Sequence, residues 1–181
     1  MNVLLLGKPG SGKGTQAKLL SEKLGLRVVG VGDVLRALAK RDRELAEYLE
    51  SGKLVPDDRL FEIVTDYLED NSLRENLLFD GFPRSRVQYH AMRDWLEKFG
   101  STFDFAVLLD IGEGELARRL AARGRTDDRK ESVERRLSEF RQITAPMIEE
   151  MREEGILVSV NGERDPRSVH EEILKHVRKK T

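Results

Sequence analysis

The sequence predicts an α/β protein, a five-stranded parallel sheet flanked by helices, and three observations carry that prediction. Five short apolar runs are continuous rather than alternating, as strands covered on both faces are. Stretches of helical periodicity separate them, which is the pattern of βαβ units with right-handed crossovers. A glycine-rich segment joins the first run to the first helical stretch.

The apolar runs are Val3 to Leu6, Arg27 to Val31, Leu77 to Phe79, Phe105 to Leu109 and Ile156 to Val160. Thr15 to Leu24 puts Leu19, Leu20 and Leu24 on one helix face, and Val34 to Leu38 and Leu60 to Leu68 repeat the pattern. Ser132 to Met151 is a long helical stretch with Pro146 in its middle. The interval from about Gly32 to Asn76 exceeds a simple crossover and predicts a small helical excursion from the sheet. There are no internal repeats and no low-complexity segments.

A chain of 181 residues, 39% of them apolar, fits one domain and can bury roughly 70% of its unfolded surface without a disulfide or metal staple. It has no cysteine, which excludes a disulfide framework, a thiol nucleophile and a Cys-ligated zinc site. Charged residues reach 36%, against about 25% in an average domain, yet 32 basic and 33 acidic side chains leave a net charge of -1. That balance argues against a basic nucleic-acid coat or an acidic tail. It predicts a dense lattice of surface ion pairs, as proteins from hot sources carry. The run Val3 to Leu6 follows no basic segment and is too short for a signal peptide or a membrane span, so a cytoplasmic protein is expected.

Directly after the first strand stands Gly7-Lys8-Pro9-Gly10-Ser11-Gly12-Lys13-Gly14-Thr15, with a helix following. This is the G-x-x-x-x-G-K phosphate loop in its confirming context of strand, turn and helix N-terminus. It makes the fold a P-loop NTPase type. The glycines allow backbone N–H groups to converge on a phosphate, and Lys13 adds a full positive charge toward the β and γ phosphates. One departure is visible: Gly14 follows the lysine, and the hydroxyl expected there arrives at Thr15.

Other chemistry-bearing residues belong at strand ends, where open α/β sheets bind ligands. They are Gly32-Asp33-Val34-Leu35-Arg36, then Gly52-Lys53-Leu54-Val55-Pro56, then Asp80-Gly81-Phe82-Pro83-Arg84 with Gln88 four residues on. Arg36 and Arg84 suit a second anionic substrate, and Asp33 and Asp80 suit the water shell of Mg²⁺. Singly each admits a structural role: Asp33 as a helix cap, Arg36 as a solvated helix residue, Arg84 as a partner of a carboxylate.

The segments GKPGSGKGTQ, GDVLR, GKLVP, DGFPR-x-x-x-Q, RGRTDD and TAP, in this order between residues 7 and 146, resemble the nucleoside monophosphate kinases, most closely the adenylate kinases. The resemblance spans nearly the whole chain. It implies that Gly10, Ser11, Gly12, Lys13, Gly14 and Thr15 grip ATP, with the backbone of Arg164 against its adenine. Arg36 and Arg84 would take the acceptor's phosphate, Lys53, Leu54, Val55, Gly81, Phe82 and Pro83 would line its nucleoside, and Gln88 would hydrogen-bond its adenine. Asp33 and Asp80 would orient water around Mg²⁺. One domain over 1–181 is implied, with a core of 1–29, 56–118 and 137–181. A helical monophosphate lobe would cover about 30–55 and a lid about 119–136.

From Arg118 to Arg136 eight basic residues face four acidic ones. Arg119 and Arg123 share a helix face, where like charges repel by a few tenths of a kcal/mol unless an anion sits between them. Glu115, one turn before Arg119, offers a purely structural alternative. By resemblance Arg119, Arg123, Arg125 and Arg136 converge on the phosphates. Only Gly124 separates Arg123 from Arg125, so the chain resembles the short-lid forms, without the zinc-bearing insert of long-lid relatives.

Phosphoryl transfer to an already anionic oxygen needs positioning and charge neutralisation rather than a general base, so Lys13, Arg84, Arg119, Arg123, Arg125 and Arg136 with Mg²⁺ suffice. His90, His170 and His176 then read as surface residues. The expected ligands are ATP, AMP and ADP, with no nucleic acid or membrane partner, and the expected state is a monomer. Acceptor identity stays open at one position: adenylate kinases usually carry Thr where Val31 stands, at the AMP base, whereas Gln88 favours AMP. A uridylate-cytidylate or broad-specificity kinase is the alternative. A non-catalytic regulator or GTPase switch is remote, because the Asn-Lys-x-Asp guanine motif is absent.

Overall fold

The computed structural model describes residues 1–123 and 130–180. Five strands, β1 (Val3–Leu6), β2 (Arg27–Gly30), β3 (Leu77–Asp80), β4 (Phe105–Asp110) and β5 (Leu157–Asn161), form one sheet in the order β2-β3-β1-β4-β5. Every pairing is parallel, with Val3 opposite both Leu78 and Phe105. β2 ends one residue before the expected Val31, which opens the next helix, and β3 runs one residue further, to Asp80.

The continuous apolar runs are explained by cover on both faces. Leu4, Leu6, Val29 and Phe79 belong to one buried cluster with Leu60, Val64, Met92, Leu96 and Met147. Val3, Leu5, Leu78, Val107 and Leu109 point the other way, against Ala17, Leu20, Val169 and Ile173. Helices α1 (Lys13–Leu24) and α9 (Pro166–Lys180) cover this second face, while α4 (Asp57–Asp70), α5 (Arg86–Glu97) and α8 (Ala145–Glu153) cover the first.

The excursion between β2 and β3 comprises α2 (Val31–Leu38), α3 (Arg43–Ser51) and α4. Asp42 caps α3 by accepting from the Leu45 N–H at 2.9 Å. Leu35, Leu45 and Val55 join the same cluster as Leu4 and Phe79, so the excursion packs into the main core.

The long helical stretch around Pro146 is α7 (Lys130–Glu139), a π turn (Phe140–Thr144) and α8. Pro146 lacks an N–H, and in an α-helix its ring would strike the carbonyl of Gln142; widening the preceding turn relieves that conflict without ending the helix. α6 (Glu113–Arg123) packs on α7 through Leu116 and Leu120 against Val133 and Leu137.

The expected ion-pair lattice is present and links neighbouring elements. Arg59 on α4 pairs with Asp42 and Glu44 at 2.5 Å each, and Arg86 and His90 on α5 both reach Glu150 on α8 at 2.9 Å. Exposed pairs of this kind add little to stability.

Candidate active site

The chain leaves the central strand β1 toward β2 on one side and later β4 on the other, so the crevice of this sheet opens at the carboxyl end of β1. The glycine-rich loop lies there. Gly7 has φ +146, and a Cβ on it would stand 2.6 Å from Ser11 Oγ and 2.8 Å from the Leu109 carbonyl oxygen, so no side chain fits. Gly12, at φ +99, stands at the N-cap of α1 without a side-chain cap, whereas Asp42 and Ser85 cap α3 and α5. The first amides of α1 are therefore left for an anion. Lys13 Nζ donates to the carbonyl oxygens of Gly7 at 2.8 Å and Lys8 at 3.0 Å, holding the ammonium against its own loop.

Arg119 joins this loop to the loop after β5. Its Nε donates to Glu115 at 2.6 Å, Nη1 to the Ser11 carbonyl at 3.5 Å, and Nη2 to the Glu163 carbonyl at 3.2 Å. Glu115 also accepts from Arg118 at 2.6 and 2.7 Å. Hydrogen bonds from Arg118 first, then Arg119, hold the Glu115 carboxyl down at about 2. A depressed carboxyl contributes stability above its ordinary value of 4.5, which is lost as pH falls through about 2. We expect an NMR titration to place the Glu115 carboxyl midpoint near 2, moving toward 4.5 in Arg118→Ala; a midpoint of 4.5 in the parent protein would remove the pairing. Beyond Glu163, Arg164 pairs with Glu172 and lines the cleft.

On the β2 and β3 side, Asp33 pairs with Arg36 at 2.5 Å inside α2, so Asp33 is an ion-pair partner rather than a cap. Asp80 ends β3, and a Cβ added to Gly14 would lie 3.7 Å from its Oδ2. Asp33, Asp80 and Gly14 share a recess of about 310 Å³. Two oxygen donors beside the phosphate loop suit a hard, hydrated cation brought in by a nucleotide. Among the described residues no group of three or more His, Cys, Asp or Glu is placed to hold a metal.

Arg84 is held through both its backbone and its guanidinium. Its N–H donates to Gln88 Oε1 at 2.7 Å, its carbonyl accepts from Thr144 Oγ1 at 2.8 Å, and its Nε donates to the Gly81 carbonyl at 2.8 Å. Desolvation, then the charge of Arg136, pushes its pKa below the ordinary arginine value. Arg136 donates to Ser132 Oγ at 3.1 Å, and Glu139 accepts from the Leu54 N–H at 3.4 Å, with burial raising its pKa.

One cleft of about 1250 Å³ collects Gly10 to Thr15, Val31, Asp33, Arg36, Lys53 to Val55, Asp80, Gly81, Pro83, Arg84, Arg119, Arg136 and Arg164. Phe82 and Gln88 are fully buried behind it. Gln88 Nε2 donates to Asp57 at 2.7 Å, so its carboxamide supports the Arg84 backbone instead of facing the cleft. Arg125 and the side chain of Arg123 lie outside the described residues. Glu139, Phe140 and Gln16 also line the cleft, and sequence reasoning gave them no role; Thr144 was visible only as part of the TAP segment. Among the described residues no histidine lines it: His90 is tied to Glu150, and His170 is part-buried, with an unpartnered Nδ1 and a pKa pushed down by burial.

Pockets for one small ligand run roughly 300–1,000 Å³, so this cleft has room for two nucleotides. With cations on both walls and no histidine or cysteine to act as base or nucleophile among the residues that line it, it is suited to neutralising and aligning phosphoryl groups. The molecule is thus a phosphate-loop phosphotransferase that acts between two phosphorylated ligands. Comparison with known proteins narrows the class. A profile of the family described as adenylate kinase matches residues 5–156. An adenylate kinase of Corynebacterium glutamicum (strain R) is 38% identical over 167 residues, covering 90% of this chain and 92% of its own. One from Thermus thermophilus is 38% identical over 179 residues, 94% of each chain, and one from Bacteroides fragilis is 35% identical over 185 residues, 98% of each. The chain belongs to the adenylate kinase family and is a nucleoside monophosphate kinase. Among the described residues, no helix is long and apolar enough to cross a membrane.

Proposed function

We propose that this adenylate kinase runs Mg·ATP + AMP ⇌ Mg·ADP + ADP across the cleft, with Lys13 and Gly10 to Thr15 holding the donor phosphates and Arg36 and Arg84 the acceptor phosphate. The observation that carries the reading is Arg84, a desolvated guanidinium that also feels the charge of Arg136, in the same cleft as the phosphate loop. Like charges so placed are costly unless a dianion enters between them.

An acceptor phosphate oxygen attacks the γ-phosphorus in line, the bond to the ADP leaving oxygen breaks, and no proton moves. Arg119, Arg136 and, by resemblance, Arg123 and Arg125 neutralise the charge that develops. Bound with the nucleotide, Mg²⁺ would draw charge from the phosphate oxygens, and Asp33 and Asp80 would hold its water shell. Residues 30–55 would form the acceptor lobe, and the lid expected over about 119–136 lies in part outside the described residues. We further propose a cytoplasmic monomer. Among the described residues the exposed large apolar side chains, Val28, Leu38, Val87, Phe99 and Ile143, come from separate stretches of the chain, which supports that state.

ADP formation in a coupled assay should depend strictly on both Mg·ATP and AMP; formation from ATP alone would sink the reading. AMP should also exceed CMP, UMP, GMP and dAMP in a side-by-side rate comparison. A broad-specificity reading draws support from two observations: buried, apolar Val31 in the lining, and the Gln88 carboxamide engaged with Asp57 and Arg84. Equal rates with several acceptors would establish it.

A further inference from the structure

Gln16 closes the first segment of the family resemblance and has no role in the mechanism above. It lies in the first turn of α1, only 2% exposed, next to buried Ala17. Its Nε2 donates to the carbonyl oxygen of Pro166 at 2.8 Å, joining α1 to the start of α9. The opposite amide orientation would set two oxygens against each other, so this bond fixes how the carboxamide lies. Its Oε1 has no hydrogen-bond partner and is sealed from solvent.

A half-satisfied carboxamide is a poor choice for stability alone, because an apolar side chain of the same size would be buried there at lower cost. Only a donor, however, can hold the Pro166 carbonyl. The stretch it belongs to is pinned at three further points. The Gly162 N–H donates to the Asp110 carbonyl at 2.7 Å, the Gly112 N–H to Glu163 Oε1 at 2.8 Å, and Arg119 to the Glu163 carbonyl at 3.2 Å.

Strand order decides what this stretch faces. The segments after β2 and β3 lie on one side of β1 and carry Arg36, on α2, and Arg84; the segments after β4 and β5 lie on the other. A donor gripped by its phosphates at β1, with an acceptor on the arginine side, must extend its ribose and base toward Gly162 to Pro166, which line the cleft together with Gln16.

We propose that Gln16 is a positioning residue that sets donor-base selectivity, by fixing the 162–166 backbone at one distance from the phosphate loop. The proposal rests on the reading of this cleft as the ATP site. Backbone groups discriminate between bases only if their distance from the anchored phosphates is fixed, since small displacements are enough to break the hydrogen bonds that discriminate.

The test uses the full chain, with initial rates for ATP and GTP at saturating AMP, for AMP at saturating ATP, and urea unfolding. Gln16→Leu should raise KM for ATP about tenfold and cut the ATP-over-GTP ratio of kcat/KM about tenfold, with KM for AMP within about twofold and the urea midpoint unchanged or higher. Gln16→Glu, which sets a carboxylate oxygen against the Pro166 carbonyl, should raise KM for ATP alike. KM for ATP within twofold of the parent in both variants overturns the proposal. So does a joint rise in both KM values with a fallen midpoint, which marks packing alone, and so does a parent enzyme that does not prefer ATP to GTP. Failure of the underlying reading looks different: the parent protein would make no ADP from ATP and AMP.

Discussion

Lys13→Ala is expected to lower kcat about a thousandfold, corresponding to about 4 kcal/mol of lost transition-state stabilisation, while the protein stays folded. The ammonium carries two tasks that the measurement separates. Its bonds to the Gly7 and Lys8 carbonyls shape the loop, and losing them should raise KM for ATP. Its charge neutralises the transferring phosphoryl group, and losing that should appear in kcat. Folding should survive because Lys13 lies in the first turn of α1, where alanine is at least as good a helix former, and the buried positions Ala17 and Leu20 are untouched. Lys13→Arg should rescue little, since a planar fork cannot occupy the place of a compact point charge bonded to two carbonyls. A kcat within tenfold of the parent, with circular dichroism unchanged, would remove Lys13 from the chemistry.

How much of this was legible in the sequence depended on whether the signal was local. The strands were visible because Val3 to Leu6 and Phe105 to Leu109 are buried from both faces, and burial of that kind writes an unbroken apolar run. The phosphate loop was visible because its spacing is itself the geometry. By contrast, Gln88 carried a strong resemblance to an adenine-binding position, yet its surroundings are made by Asp57 on α4 and the Arg84 N–H, 31 and 4 residues away. Nothing in the flanking sequence marks Asp57 as its partner. Glu139 escaped notice because it meets Leu54 across 85 residues, and Gln16 because its partner Pro166 is 150 residues distant.

Pro146 illustrates the intermediate case. The interruption was legible, but its resolution by a π turn was not, since either a kink or a helix end would have answered the missing N–H equally well. The π turn leaves Phe140 and Thr144 on the cleft with Arg136 and Glu139, so the proline conflict is resolved in the stretch that lines the acceptor side. That turn also places the Thr144 hydroxyl under the Arg84 carbonyl.

Arg84→Ala should lower kcat/KM for AMP about a thousandfold and leave the unfolding midpoint of the protein unchanged or raise it. The two signs follow from the same surroundings. Desolvation and the neighbouring Arg136 both act against the charged form of Arg84, with Asp80 and Glu139 offsetting only part of that. Removing the guanidinium therefore relieves a cost in the ligand-free protein, as expected where function rather than stability holds a residue in place. With AMP bound the balance reverses, because a desolvated bidentate guanidinium–phosphate pair is among the stronger polar interactions available. Arg84→Lys should recover at most about tenfold, since it keeps the charge and loses the fork. The Gln88 and Thr144 bonds reach the Arg84 backbone and survive in all three proteins, so the loop itself should not move. Loss of activity accompanied by an equal loss of stability would instead make Arg84 a structural partner of Asp80 and Glu139, and the acceptor phosphate would have to be held elsewhere.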